Sequence, residues 1–176
     1  MSSGSLRLTP RELNALFIDG LKDAVTFIEN PSAKPLVIDV KINSYIAKLR
    51  VYLFNCTNPP GGRASDEYKS QIIIPGQARG QRGNFPHEDG RFVILGAYTT
   101  LADTDDSGVF VFWDAMCHEN FSYSANIQVK SEILVAAMAN NVSIGRKNNN
   151  ETIVACRKNH LLEGIEARLF TVSDIK

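Results

Sequence analysis

The spacing of hydrophobic and polar positions changes period several times along the chain, and each change predicts an element. Thr9-Pro10-Arg11-Glu12 opens the first one: Thr9 can cap, Pro10 suits the first turn, and Glu12 completes a capping box. Apolar residues then recur at Leu13, Leu16, Phe17, Leu21, Ala24, Val25 and Ile28. That spacing predicts one face of a helix running to Asn30-Pro31. From Pro35 the period becomes that of strands. Leu36–Ile42 and Tyr45–Asn55 are rich in β-branched and aromatic residues around an Asn43-Ser44 turn. In the second run Tyr45, Ala47, Leu49, Val51 and Leu53 alternate with Lys48, Arg50 and Tyr52, which predicts one buried and one wet face.

Asn58-Pro-Pro-Gly-Gly-Arg63 reads as a loop, because two prolines and two glycines do not fit a ladder. Tyr68–Ile74 reads as a strand and Pro75–Gly90 as a long polar loop. Phe92–Thr99 and Val109–Trp113 read as apolar strands joined by an acidic turn over Asp103–Gly108. Asp114–Lys130 reads as irregular and polar. Ser131–Asn140 reads as a helix, Val142–Arg146 and Thr152–Cys156 as a hairpin through asparagines, and Asn159 as the cap of a last helix bearing Leu161, Leu162, Ile165 and Leu169.

This order predicts one α+β domain over residues 1–176, with residues 1–8 as a disordered or tag-like start. The sheet is expected to be curled and mostly antiparallel, or a half-open barrel of the PUA-like or pseudobarrel type. N-terminal, middle and C-terminal helices would pack on it, and two polar loops would project from one rim.

Composition narrows this little. The chain has 176 residues, 44% hydrophobic and 22% charged, ordinary values for a globular protein. No run approaches the roughly 20 apolar residues that cross a bilayer, and the polar start predicts no signal peptide; a cytoplasmic location is expected. Three cysteines without metal-type spacing are expected to be reduced thiols. A net charge of zero argues against a protein whose whole surface grips nucleic acid, and leaves room for a local basic patch.

Three constellations could carry chemistry. The first is the loop pair: Arg63, Lys69, Arg79, Arg82 and Arg91 beside Gln71, Gln77, Gln81 and Asn84. Arginine binds phosphate and the guanine edge bidentately, and Gln or Asn does the same for adenine. The competing reading is a solvated loop with scattered charges, since Glu88 and Asp89 partly neutralise it. The second is Asp66-Glu67-Tyr68-Lys69 with Asp39. Of Asp39, Glu67 and Lys69, the two carboxylates could hold Mg²⁺ and the lysine could stabilise charge on an attacked phosphate. The competing reading is exposed charges leading into a strand. The third runs from Trp113 to Lys130, where Trp113, His118, Tyr123, Ser124, Asn126 and Gln128 could stack on and read a base. Against this, Trp113 and Phe121 could equally be core. Gly76–Gly83 is glycine-rich but lacks the Lys-Ser/Thr ending of a phosphate loop.

The ordered string Tyr52-Leu-Phe-Asn55, Pro60-Gly-Gly-Arg63, Asp66-Glu-Tyr-Lys69-x-Gln71, Gly76-Gln77, Gly90-Arg91, Val109-Phe-Val-Phe-Trp-Asp114, His118 and Tyr123-Ser-x-Asn126-x-Gln128 resembles the N-terminal region of certain bacterial restriction endonucleases. In those McrA-like, often modification-dependent enzymes a DNA-recognition module precedes an HNH nuclease domain. The resemblance covers residues 50–130. It implies a specificity domain for a specific or methylated duplex site, in bacterial defence, with cutting left to a nuclease domain fused or in trans. The chain itself has three histidines and no Cys-x-x-Cys, so it departs from the HNH pattern and is not expected to cleave alone.

The leading expectation is thus a DNA-binding domain contacting double-stranded DNA, without a cofactor, metal or membrane, and with a homodimer as a further arrangement. The alternatives are a Mg²⁺ nuclease using Asp39, Glu67 and Lys69, and a protein-interaction module.

Overall fold

The long β-branched and aromatic runs form the strands of one open sheet. The computed structural model describes residues 7–58, 66–101 and 107–171. Helix α1 spans Pro10–Leu21, and strands β1 (Val25–Ile28), β2 (Leu36–Ile42) and β3 (Tyr45–Asn55) follow. Then come β4 (Glu67–Ile72), β5 (Phe92–Thr100), β6 (Gly108–Trp113) and β7 (Ala125–Lys130). Helix α2 (Ser131–Asn140), strands β8 (Val142–Arg146) and β9 (Thr152–Arg157), and helix α3 (Leu161–Phe170) complete the order. Seven strands pair as β1-β2-β3-β5-β6-β9-β8, and β4 pairs with β7 in a separate two-stranded ribbon. The pair β3–β5 is parallel; the other named pairs are antiparallel. The α+β expectation with three packed helices is met, and of the two sheet forms expected the open one is observed.

The middle of the sheet is covered on both faces, and all six residues of β6, an apolar run, are buried. Phe110 and Phe112 of β6, with Val154 and Cys156 of β9, pack under α1 and α3 through Leu13, Phe17, Leu161 and Ile165. The opposite side chains, Val109, Val111, Trp113, Ile153 and Ala155, pack under the ribbon and α2 through Ile72, Ile127, Val129, Leu134 and Ala137.

Four expectations are corrected. The first helix does not reach Asn30: Thr9 and Glu12 form the capping box as read, but Lys22 takes φ 52° and the chain leaves the helix. Val25–Ile28 becomes edge strand β1 instead, its backbone groups paired antiparallel with β2 rather than within a helix. The segment 114–130 is not all irregular, since it ends in β7. On β3, Arg50 and Tyr52 are buried rather than wet. The loop after β4 folds over them, and Arg50 Nη1 donates to the Pro86 carbonyl at 2.9 Å. Asn159 does not cap α3; Lys158–His160 forms a 3-10 turn leading directly into it.

Candidate functional site

The ribbon is the feature that assembles residues singled out in the sequence. In β4 and β7 successive side chains point to opposite sides. Tyr68, Ser70 and Ile72 face Val129, Ile127 and Ala125 across the pair, turned toward the core. Glu67, Lys69 and Gln71 stand opposite Lys130, Gln128 and Asn126 on the outward side. Gln71, Asn126, Gln128 and Lys130 are exposed, and Glu67 and Lys69 half-buried. A one-residue slip of register would bury this polar set and expose Ile127 and Val129, so the apolar alternation fixes which side faces out.

The ribbon is fastened at several points. Thr57 and Lys69 exchange backbone hydrogen bonds of 2.9 and 2.8 Å at the end of β3. The Ser70 hydroxyl donates to the Asn55 carbonyl at 2.7 Å. Trp113 Nε1–H donates to the Gln128 carbonyl at 2.9 Å, joining β6 to β7. Trp113 has no exposed surface, so its ring is core, and it does not stand at the surface as a base-stacking platform.

The loop between β4 and β5 flanks one end of the ribbon. Gly83 and Phe121 exchange backbone hydrogen bonds of 2.8 and 2.9 Å, and a Cβ at Gly83 would lie 2.6 Å from the Phe121 ring. Only glycine permits this approach. Arg82 Nη1 donates to the Asn120 carbonyl at 3.3 Å, and Asn120 N–H donates to Asn84 Oδ1 at 2.6 Å. Asn120 and Ser124 take positive φ, 52° and 62°, which bends the chain into β7. Arg79 and Arg82 are exposed, and Tyr123 and Ser124, just before β7, are half-buried.

Other predicted residues serve the fold. Gln77 Nε2 donates to the Gln81 carbonyl at 3.0 Å and its Oε1 accepts from Ile74 N–H at 3.3 Å, closing their own loop. Arg91 Nη1 lies 2.8 Å from Asp39 Oδ1 and also donates to the Leu49 carbonyl at 3.2 Å. It ties the loop to β2 and β3, apart from the ribbon's outward side. His118 Nε2 lies 2.7 Å from Oε2 of Glu151, a fully buried carboxylate that also accepts from Asp114 N–H at 3.1 Å. Arg63 lies outside the described residues.

The nuclease set is not assembled. Asp39 sits opposite Lys48 on β3, whereas Lys69 sits opposite Thr57. Nine residues of extended chain separate those two rungs, about 30 Å at ~3.3 Å per residue. One metal cannot bridge that gap. Asp39 is, in addition, paired with Arg91.

Sequence reading missed Arg50, Glu151 and Arg168. Arg168 is buried and donates to the Thr152 and Thr171 carbonyls at 2.7 and 2.8 Å. Burial lowers its pKa, opposed by the nearby charges of Asp114 and Glu151. Each is a charge inside an otherwise apolar or turn segment, and no local spacing announces its partner.

Among the described residues no helix is long and apolar enough to cross a membrane. Residues 47–165, about two thirds of the chain, match a family model described as methylase-associated X1. No curated protein and no solved structure matches the chain.

Proposed function

The chain belongs to the methylase-associated X1 family, and from that premise we propose that it is a DNA-contacting domain of a restriction-modification system, laying its β4–β7 ribbon in the major groove. The observation that carries this reading is the outward ladder Lys69–Gln128 and Gln71–Asn126. Two strands lie about 4.8 Å apart, so a ribbon enters a groove about 12 Å wide. Lysine and amides are side chains that pair with base edges, and β-ribbons in other proteins read DNA in this way. Arg79 and Arg82 on the flanking loop, with Lys130 at the ribbon's end, supply phosphate contacts. Lys130 approaches Asp66 at 3.6 Å, but both side chains are more than half exposed, so the pair is weak and leaves the lysine available.

The family supports the restriction-modification part of the sequence resemblance. The partner its description names is a methylase, so the catalytic activity that this domain directs is more simply methyl transfer than cleavage.

Fluorescence anisotropy with a labelled duplex tests the proposal. Three phosphate-reaching cations, Arg79, Arg82 and Lys130, predict a log–log salt slope of about −2.5 to −3, at ~0.9 per neutralised phosphate. Replacing Arg79 and Lys130 together by alanine should reduce it to about −1. No binding to any duplex at low salt, or a slope that these changes leave untouched, contradicts the proposal.

A second reading has one observation in its favour. Phe27 and Ile46 are 45% and 46% exposed at the β1–β2–β3 end of the sheet, with Lys41 and Lys48 exposed nearby. Apolar surface there suits a protein contact. Charge substitution of Phe27 and Ile46 should then abolish co-elution with the methylase while leaving duplex binding unchanged.

A further inference from the structure

The ribbon's outward face is amide-rich and has no arginine. Of its six side chains three are amides, Gln71, Asn126 and Gln128; one is a cation, Lys69; and Glu67 faces Lys130 at the end. Gln71 and Asn126 are directly opposite each other and both exposed. An amide is the side chain that pairs bidentately with adenine: its oxygen accepts from N6–H and its N–H donates to N7. Guanine calls for arginine or lysine instead.

Resting on the major-groove reading above, we propose that the Gln71–Asn126 pair reads an adenine, and that N6-methylation of this adenine blocks the contact. The chemistry of the base decides the sign. In a duplex one N6–H pairs with thymine, so an N6-methyl group must sit on the N7 side, in the major groove. There it replaces the hydrogen that the amide oxygen needs and occupies the amide's place. The domain therefore binds duplex that an adenine methylase has yet to modify, and releases the product. A C5-methyl group on cytosine lies elsewhere in the groove and leaves this contact intact.

The ladder also sets a spacing. Lys69 and Gln128 form the next outward pair, one rung of two residues along, about 6.6 Å away. That equals two base-pair steps of ~3.4 Å. The adenine should be accompanied by a second base preference two pairs away.

The test is a selection by the full chain from a random-sequence duplex pool, with parallel pools made with N6-methyladenine or with C5-methylcytosine. The expected result is a motif with a fixed adenine in the plain and C5-methylcytosine pools, bound about ten- to a hundredfold more weakly when that adenine is N6-methylated. Gln71→Ala and Asn126→Ala, both surface changes, should relax the preference at that adenine while keeping the salt slope. A motif without a fixed adenine, binding with no motif, or equal binding to the N6-methyladenine pool overturns the inference and leaves the ribbon's DNA contact standing. Failure to bind any pool at low salt overturns the major-groove reading itself.

Discussion

Trp113 was a candidate for stacking on DNA, and the structure makes it a core residue instead, so Trp113→Phe separates the two roles. The indole is fully buried, and its N–H donates to the Gln128 carbonyl at 2.9 Å, across from the sheet to the ribbon. Phenylalanine keeps a ring but removes the donor and roughly 40 Å³ of volume. At ~24 cal/mol per Å³ of residual cavity the volume loss costs about 1 kcal/mol. Leaving the Gln128 carbonyl without its donor costs about 1–2 kcal/mol more. For a chain of this size each kcal/mol lowers the melting temperature by about 2–4 °C, so the midpoint should fall by about 5–10 °C. Circular-dichroism melts and urea titrations measure this. Duplex affinity, measured well below the new midpoint, should change little, because the ring faces away from the outward ladder. An unchanged midpoint together with a large loss of affinity would refute this assignment and return Trp113 to the DNA surface.

Arg91→Met should lower stability by about 2–3 kcal/mol, because Asp39 is left half-buried without its cation, and the urea midpoint should show it. The same variant should leave the salt slope of duplex binding intact, which distinguishes Arg91 from Arg79 and Lys130. Gly164→Ala would place a Cβ 2.3 Å from Cys156 Sγ and 2.7 Å from its Cβ, forcing α3 off β9. A loss of about 1–3 kcal/mol in urea unfolding is expected from such overpacking. Burial pushes the Cys56 thiol up to about 12 and the Cys156 thiol upward as well. At pH 8.5 both should stay protonated and resist a thiol reagent until the chain unfolds, while half-buried Cys117 reacts first. Rapid labelling of all three in the folded chain would contradict the packing around β3 and β9.

Much of the scaffold was legible because its signals are local. The Thr9–Glu12 box marks the start of α1, the β-branched runs mark β2, β3, β5 and β6, and the asparagine turn marks the β8–β9 hairpin. Local spacing also misled. Ala24, Val25 and Ile28 continue a helical spacing, yet β2 captures Val25–Ile28 as an edge strand. Arg50 and Tyr52 alternate as if wet, yet the loop between β4 and β5 covers them. The candidate site shows the same divide. Lys69, Gln71, Asn126 and Gln128 were each picked out by type, but their union depends on the pairing of β4 with β7, which lie far apart in sequence. The alternation of Asn126, Gln128 and Lys130 with Ala125, Ile127 and Val129 was a readable strand signal. Nothing local names the partner strand. Arg91 and Asp39 likewise met each other rather than a ligand.

The most direct test of the account is a backbone amide NMR titration of the chain with a duplex. The account predicts that the largest shifts fall on Lys69, Gln71, Asn126 and Gln128 and on the loop around Arg79 and Arg82, while α1 and α3 on the opposite face of the sheet stay unperturbed. Shifts centred on α1 and α3, or none at saturating duplex, would contradict it.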